Sequence, residues 1–343
     1  MQTLESAPIG SGARQVTALG LGTTALANMY AALDDDAAAA TLDAAFDAGI
    51  RYIDTAPAYG SGLAEQRVGA WLARRDRDSV VISTKVGNSL RPISAEEAAG
   101  GLFENALLAA PYMDFSRDAI LRSLEESLSR LQTDRVDMIA IHDPDEAASI
   151  EPGVDPYARS HFREAMEETY PVLDELRSQG VIGAVGVGMN GWEMLVDFAK
   201  AGDFDYFLLA GRYTLLEQES ARTLLPLCAE RGISVVIGGP YSSGILATGA
   251  VEGARFNYAP AGPDVLERVR RIEAVCARHA VPLRAAALQF PARHPAVTSV
   301  IPGARTADEV RENIELFTAP IPGDLWSELV AEGLIDASVG SPV

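Results

Sequence analysis

Basic residues are scarce in this chain. Lysine and arginine total 28 against 48 aspartates and glutamates in 343 residues, a formal net charge of −20. So acidic a surface repels phosphate backbones and argues against nucleic-acid binding as the main role. It leaves room for a nucleotide cofactor, because a few local donors can hold a pyrophosphate inside an acidic protein. Cysteine is scarcer still. Cys228 and Cys276 each fall at an apolar position of a predicted helix, which points to buried thiols rather than a disulfide or a metal site. The histidines, His142, His161, His279 and His294, lack zinc-ligand spacing, and no metal is expected. The N-terminal segment shows no basic region followed by an apolar run, and no apolar stretch is long enough to span a bilayer. The expectation is a cytoplasmic chain without membrane contacts. Hydrophobic residues make up 48% and charged residues 22%, enough for a sizeable core and against extensive disorder.

What is present is an alternation. Short apolar runs alternate with longer amphipathic ones: 17–22 then 37–48, 51–55 then 63–74, 80–86 then 117–131, 136–142 then 162–179, 182–189 then 191–201, 206–213 then 218–231, 234–238 then 263–279, and 297–301 then 307–317. Strands that are apolar throughout want burial on both faces, with helices between them. Eight such units predict a single-domain (β/α)8 barrel over residues 1–343. The alternative, a doubly wound open sheet, normally carries Gly-x-Gly-x-x-Gly after its first strand; the run Gly20-Leu21-Gly22-Thr23-Thr24-Ala25 lacks the third glycine. Segment 282–291 adds a helix candidate before the last strand. The connections 87–116 and 241–262 are long, and both follow strands. In a barrel that puts them at the C-terminal face, where lids and binding loops sit.

Four polar residues mark strand ends or the loops just beyond. Asp54 ends Arg51-Tyr52-Ile53-Asp54, Tyr59 follows in Ala56-Pro57-Ala58-Tyr59-Gly60, Lys85 ends 80–85, and His142 ends Met138-Ile139-Ala140-Ile141-His142. Taken singly, Asp54 reads as a cap, Tyr59 as a packed loop aromatic and His142 as a structural histidine. Lys85 is harder to dismiss, because an ammonium after an apolar run is costly to bury unless paired. In a barrel, strands two, three and four are neighbours, so all four converge. Asp54 pairs with Lys85, the paired ammonium lowers the Tyr59 phenol from its free value of about 10, and His142 orients a reacting oxygen. Such a set transfers protons to or from an alcohol or carbonyl oxygen.

These residues resemble the aldo-keto reductases. Gly49, Asp54, Thr55, Ala56, Tyr59, Gly60, Glu65 and Gly69 fit that family's first signature, and Lys85 and His142 fall where its tetrad continues; the likeness runs from about residue 15 to 335. It implies a (β/α)8 barrel, an extended nicotinamide dinucleotide across the C-terminal face, and direct hydride transfer to or from a small-molecule substrate. Tyr59 is then the acid/base, Lys85 and Asp54 its tuning pair, and His142 the partner of the substrate oxygen. The runs 141–145, 186–190, 208–216 and 243–246 are similar to the aldose 1-dehydrogenase branch, which includes L-fucose, L-galactose and D-threo-aldose dehydrogenases and a pyridoxal 4-dehydrogenase. That branch oxidises a ring hemiacetal carbon to a lactone. The intact tetrad argues against a non-catalytic nucleotide-binding subunit.

The departures are informative. Only Asn190 carries over from the Ser-Asn pair that holds the carboxamide, since Met189 precedes it; Ala210 replaces the usual glutamine, and Gly238 the tyrosine that often stacks on the nicotinamide. Near the C-terminus, Ile301-Pro302-Gly303-Ala304 stands where NADPH-dependent members read Ile-Pro-Lys-Ser, and Glu309 stands at the place of an arginine. A carboxylate repels a 2′-phosphate but accepts hydrogen bonds from a ribose diol, so NAD is expected over NADP, with Arg305 as a partial compensation. Glu312 and Asn313 match the adenine-side pair, and the backbone of Ser242, Ser243 and Gly244 is the expected pyrophosphate cradle. Asp143, Trp192 and Arg212 are the candidates for reading sugar hydroxyls, while Phe103, Pro111, Tyr112 and Phe115 give the first long loop an aromatic character that suits pyridoxal.

Overall fold

The structure, a computed structural model, describes residues 4–10, 15–97 and 101–337, so parts of the N-terminal segment and of the 87–116 loop lie outside the described residues. Eight parallel strands form one sheet in sequence order: β1 (Leu21–Gly22), β2 (Tyr52–Asp54), β3 (Val81–Val86), β4 (Met138–His142), β5 (Ala184–Met189), β6 (Tyr206–Ala210), β7 (Ser234–Gly238) and β8 (Val297–Ile301). The sheet closes on itself through parallel bridges of Leu19 to Val300 and Gly22 to Gly303. The barrel expected from the alternation is therefore the fold.

The main helices follow their strands: α1 (Asp35–Asp47), α2 (Leu63–Leu72), α3 (Arg117–Arg130), α4 (Trp192–Ala201), α5 (Leu224–Arg231), α6 (Pro263–Arg278) and α7 (Ala307–Thr318). Between β4 and β5 the helix is composite, with a π turn at Ala165–Thr169 just ahead of Tyr170–Ser178. Pro171, which has no N–H to donate, sits at that junction and accounts for the widened turn. Local chemistry starts the helices. Asp34 caps α1 by accepting from Ala37 N at 2.7 Å, and Thr306 caps α7 by accepting from Glu309 N at 3.2 Å.

Strand alternation sorts the residues into two layers. Ile53, Ile82, Ile139, Val185, Val187, Phe207, Leu209, Val235 and Ile237 face the helices. Tyr52, Val81, Met138, Ala140, Ala184, Tyr206, Leu208, Val236 and Ile301 fill the barrel, joined by Ile9 and Val16. These last two belong to an antiparallel hairpin of Ser6–Pro8 with Gln15–Thr17 that plugs the N-terminal mouth. Here the sequence reading needs correction. The run 17–22 is not one continuous strand: Thr17 pairs with Ser6 of the hairpin, Leu19 bridges β8, and Leu21–Gly22 pairs with β2. A helix at Gly323–Ala331, which packs Leu325, Trp326 and Leu329 into the core, was not expected.

Candidate active site

The same alternation carries the polar residues inward. Asp54 lies two residues past Tyr52, Lys85 four past Val81, and His142 two past Ala140, so all three point into the barrel at its C-terminal end. Asp54 pairs with Ser83 across the strands, which sets Lys85 one inward position higher. Lys85 Nζ donates to Asp54 Oδ2 at 2.6 Å and to the Thr55 carbonyl at 2.8 Å. The other carboxylate oxygen accepts from Ser83 Oγ at 2.6 Å, and that hydroxyl lies 3.1 Å from Tyr52 OH. The ion pair is dry, at 1% and 4% side-chain exposure for Lys85 and Asp54. Gly188 makes space for it: a Cβ there would stand 3.3 Å from Lys85 Cε.

Tyr59 opens the tight turn Tyr59–Gly62, in which Gly60, Ser61 and Gly62 are all left-handed, and its ring lies under the ammonium, 4.7 Å from Nζ to centroid. The His142 ring meets Tyr59 edge to face at 5.8 Å. The four expected residues are thus brought together.

The electrostatics differ from expectation at one point. Burial, then the Asp54 and Asp143 carboxylates, push the Tyr59 phenol well above its usual range rather than down. The sequence reading weighed the ammonium and not the dry site, and burial wins. Burial and the Lys85 charge hold His142 well below the ordinary histidine range, so its ring is neutral. Its Nδ1 is buried with no hydrogen-bond partner, and its Nε2 is 3.6 Å from Asp143 Oδ2. The Asp143 carboxyl, beside Asp145, is pushed up to about 7 by burial.

Above the quartet lies a cavity of about 170 Å³, lined by Asp54, Tyr59, Asn190, Ala210, Gly211, Gly239, Ser243 and Gly303 among others. A Cβ on Gly211, Gly239 or Gly303 would meet no neighbour closer than 3.5 Å, so missing side chains shape this cradle. Asn190 Nδ2 donates to the Ala210 carbonyl at 2.9 Å. Residues that the sequence reading passed over also line the cavity: Met29, Tyr30, Asn257 and Tyr258. Nothing local in the sequence marks them, since they arrive on loops.

The substrate candidates separate. Asp143 is at the site. Arg212 is turned to the second long loop, with Nη1 2.7 Å from Asn257 Oδ1 and Nη2 3.2 Å from the Ser149 carbonyl. Trp192 begins α4 and packs on the core outside the cavity. In the first long loop, Phe115 is buried under His161 at 5.1 Å, and Phe103 bridges Met29 at the rim.

At the far end, Glu309 Oε2 accepts from Arg305 N at 2.8 Å, which fixes the carboxylate at the start of α7. The Arg305 Nε is buried without a partner. Asn313 Oδ1 accepts from Tyr241 OH at 2.7 Å, and Glu312 pairs with Arg284, whose guanidinium lies 5.8 Å over the Tyr241 ring. Of the expected cradle, Ser242 N and Gly244 N already bond the Gly239 and Tyr241 carbonyls. Ser243 Oγ accepts from Tyr258 N at 3.0 Å. The cavity reaches from Asn190 to Ser243 and Gly303, and Glu309 and Asn313 stand beyond its lining on α7, the helix that follows Gly303.

Among the described residues no group of three or more His, Cys, Asp or Glu could hold a metal ion, and no helix is long and apolar enough to cross a membrane. Cys228 and Cys276 are buried free thiols, pushed up to about 12 and about 11 by burial.

Comparisons with known proteins give the family and the fold. The chain is 38% identical over 98% of its length to a D-threo-aldose 1-dehydrogenase of a Pseudomonas species, covering 99% of that relative. It is 37% identical, over 98% of its length and 99% of the relative's, to a pyridoxal 4-dehydrogenase of Microbacterium luteolum. The fold is shared with the holo form of an aldo-keto reductase from Bacillus halodurans, at a TM-score of 0.75 and 24% identity over 97% of each chain. Residues 18–331 match the Aldo/keto reductase family. The chain therefore belongs to the aldo/keto reductase family and is an oxidoreductase of CH–OH groups that uses a nicotinamide cofactor.

Proposed function

We propose that the chain oxidises the hemiacetal carbon of a cyclic aldose, of the L-fucose, L-galactose or D-arabinose type, to a lactone, with NAD preferred over NADP. The observation that carries the reading is the cluster of Tyr59, Lys85, Asp54 and His142 beneath a small cavity, with the Lys85–Asp54 pair buried. Bound nicotinamide would take the hydride from the substrate carbon. Tyr59, as phenolate, takes the proton of the anomeric hydroxyl, and such general-base help contributes about 10²–10⁴-fold. The neutral His142 ring hydrogen-bonds the same oxygen. Lys85, fixed by Asp54 and Thr55, stabilises the phenolate that takes this proton. Asp143 reads a neighbouring hydroxyl.

The cofactor preference is supported by Glu309, a carboxylate pinned by the Arg305 N–H where a 2′-phosphate would need a cation. A kcat/KM for NADP equal to that for NAD would refute this part.

A second substrate, pyridoxal, is an aromatic hemiacetal and would give 4-pyridoxolactone by the same steps. The relative named for pyridoxal and the Tyr30, Met29 and Phe103 rim support it. The deciding experiment measures NADH formation with L-fucose, L-galactose, D-arabinose, D-galactose and pyridoxal in parallel. Turnover of a sugar, with pyridoxal inert, upholds the first reading; the reverse upholds the second; no turnover of any rejects both.

A further inference from the structure

The barrel interior beneath the ion pair is mostly apolar, filled by Val81, Met138, Ala140, Leu208 and Val236. On the side of β2 and β3, Tyr52 and Ser83 interrupt it. Both are fully buried, where a hydroxyl is costly unless it is bonded. Theirs are bonded in a chain. Ser83 Oγ has one proton and gives it to Asp54 Oδ1 at 2.6 Å. Its oxygen is then left to accept from Tyr52 OH at 3.1 Å. Donation therefore runs from Tyr52 to Ser83 to Asp54. Tyr206, in the same interior cluster, has a buried hydroxyl with no partner among the described residues and stays outside the chain.

Register sets Ser83 opposite Asp54, and different partners serve the two carboxylate oxygens. Oδ1 takes the hydroxyl, and Oδ2 takes Lys85 Nζ at 2.6 Å. That division matters to the ammonium, which has three N–H groups. One goes to Oδ2 and one to the Thr55 carbonyl at 2.8 Å. The third is left for the side of the Tyr59 ring, whose centroid is 4.7 Å from Nζ. Without the hydroxyl, Oδ1 would be a carboxylate oxygen buried with no donor, and a buried anion needs compensation from a cation. Lys85 would then be drawn across both oxygens and spend its third N–H there.

We propose that Ser83, backed by Tyr52, is a positioning residue for proton transfer at Tyr59: by occupying Asp54 Oδ1 it confines Lys85 to Oδ2 and keeps one ammonium N–H on the side of the phenol. Neither residue lines the cavity, so both act through Lys85. The proposal rests on Tyr59 as the acid/base and deepens that reading. It is independent of the choice between an aldose and pyridoxal.

The chain's composition supplies a direct probe. Lys85 and Lys200 are its two lysines, and Lys200 is exposed on α4. Lysine labelled with ¹⁵N at Nζ therefore gives one signal from the ion pair and one internal reference. The test is NMR of the free full-length enzyme so labelled, for the native chain, Ser83→Ala, Tyr52→Phe and the double variant. The Lys85 signal should move in Ser83→Ala and move less, in the same direction, in Tyr52→Phe. In the double variant it should move no further than in Ser83→Ala, with Lys200 constant throughout.

Kinetics with L-fucose and with pyridoxal give the second readout. Turnover should fall about 10- to 100-fold in Ser83→Ala and about 2- to 10-fold in Tyr52→Phe, with KM for NAD⁺ nearly unchanged. Tyr52→Phe keeps its ring, so it tests the chain even if Ser83→Ala folds poorly. A Lys85 signal that stays at its native position in both single variants, or a loss carried by KM rather than kcat, overturns the proposal. Undiminished turnover in Tyr59→Phe would reject the acid/base reading, and it is told apart from failure of the proposal because the Lys85 signal does not depend on turnover.

Discussion

Lys85 touches three groups at once: the Asp54 carboxylate, the Thr55 carbonyl and the face of Tyr59. Its isolation from water decides what substitutions there do. Lys85→Met leaves an unpaired buried carboxylate, and breaking a pair of this kind costs about 3–5 kcal/mol. The double variant Lys85→Met/Asp54→Asn should recover much of that loss in urea unfolding, though not activity. Tyr59→Phe should lower kcat about 10²–10⁴-fold while NAD⁺ affinity, followed by fluorescence, changes little. The phenol pKa is raised, so its deprotonated form grows about tenfold per pH unit through the working range. Oxidation should therefore climb with pH without a plateau below pH ~9, whereas a plateau near neutrality would assign the base elsewhere. Asp143 provides a separate readout. Its carboxyl stays protonated in the fold from its ordinary 3.8 up to about 7, so stability falls as pH rises through that window. Asp143→Asn removes the fall, and its Tm advantage over the native chain should be larger at pH 8 than at pH 4.

At the scale of elements, strand alternation made the quartet legible. Apolar residues in register on β2, β3 and β4 imply that the polar residue ending each strand points the same way. Gly188 on β5 tests this: Gly188→Ala places a methyl against the Lys85 stem and should lower kcat with little change in KM for NAD⁺. What was not legible depends on distant partners. The first apolar run reads as one strand because composition does not reveal that the Ser6–Pro8 hairpin takes its first half. Arg212 reads as a sugar ligand because the sequence does not show Asn257 folding back to meet it. Tyr258 is an ordinary loop aromatic until the fold brings it to the cavity wall. The rise of the Tyr59 pKa likewise belongs to the assembled site, where burial outweighs a neighbouring cation that sequence proximity suggests first.

For the whole molecule, the barrel interior is packed from the N-terminal hairpin to the quartet. Ile9→Ala should cost about 2–4 kcal/mol in urea unfolding, since it opens a void against the lowest interior layer while leaving the C-terminal rim intact. The hairpin has a second consequence. It makes the barrel a blind-ended well, so nothing that enters at the top can leave at the bottom. On the proposed mechanism, substrate, product and the proton from Tyr59 all pass the C-terminal mouth, the open end of the barrel among the described residues. Chemistry and traffic therefore share one doorway, and whatever opens it for the product opens it for the proton as well.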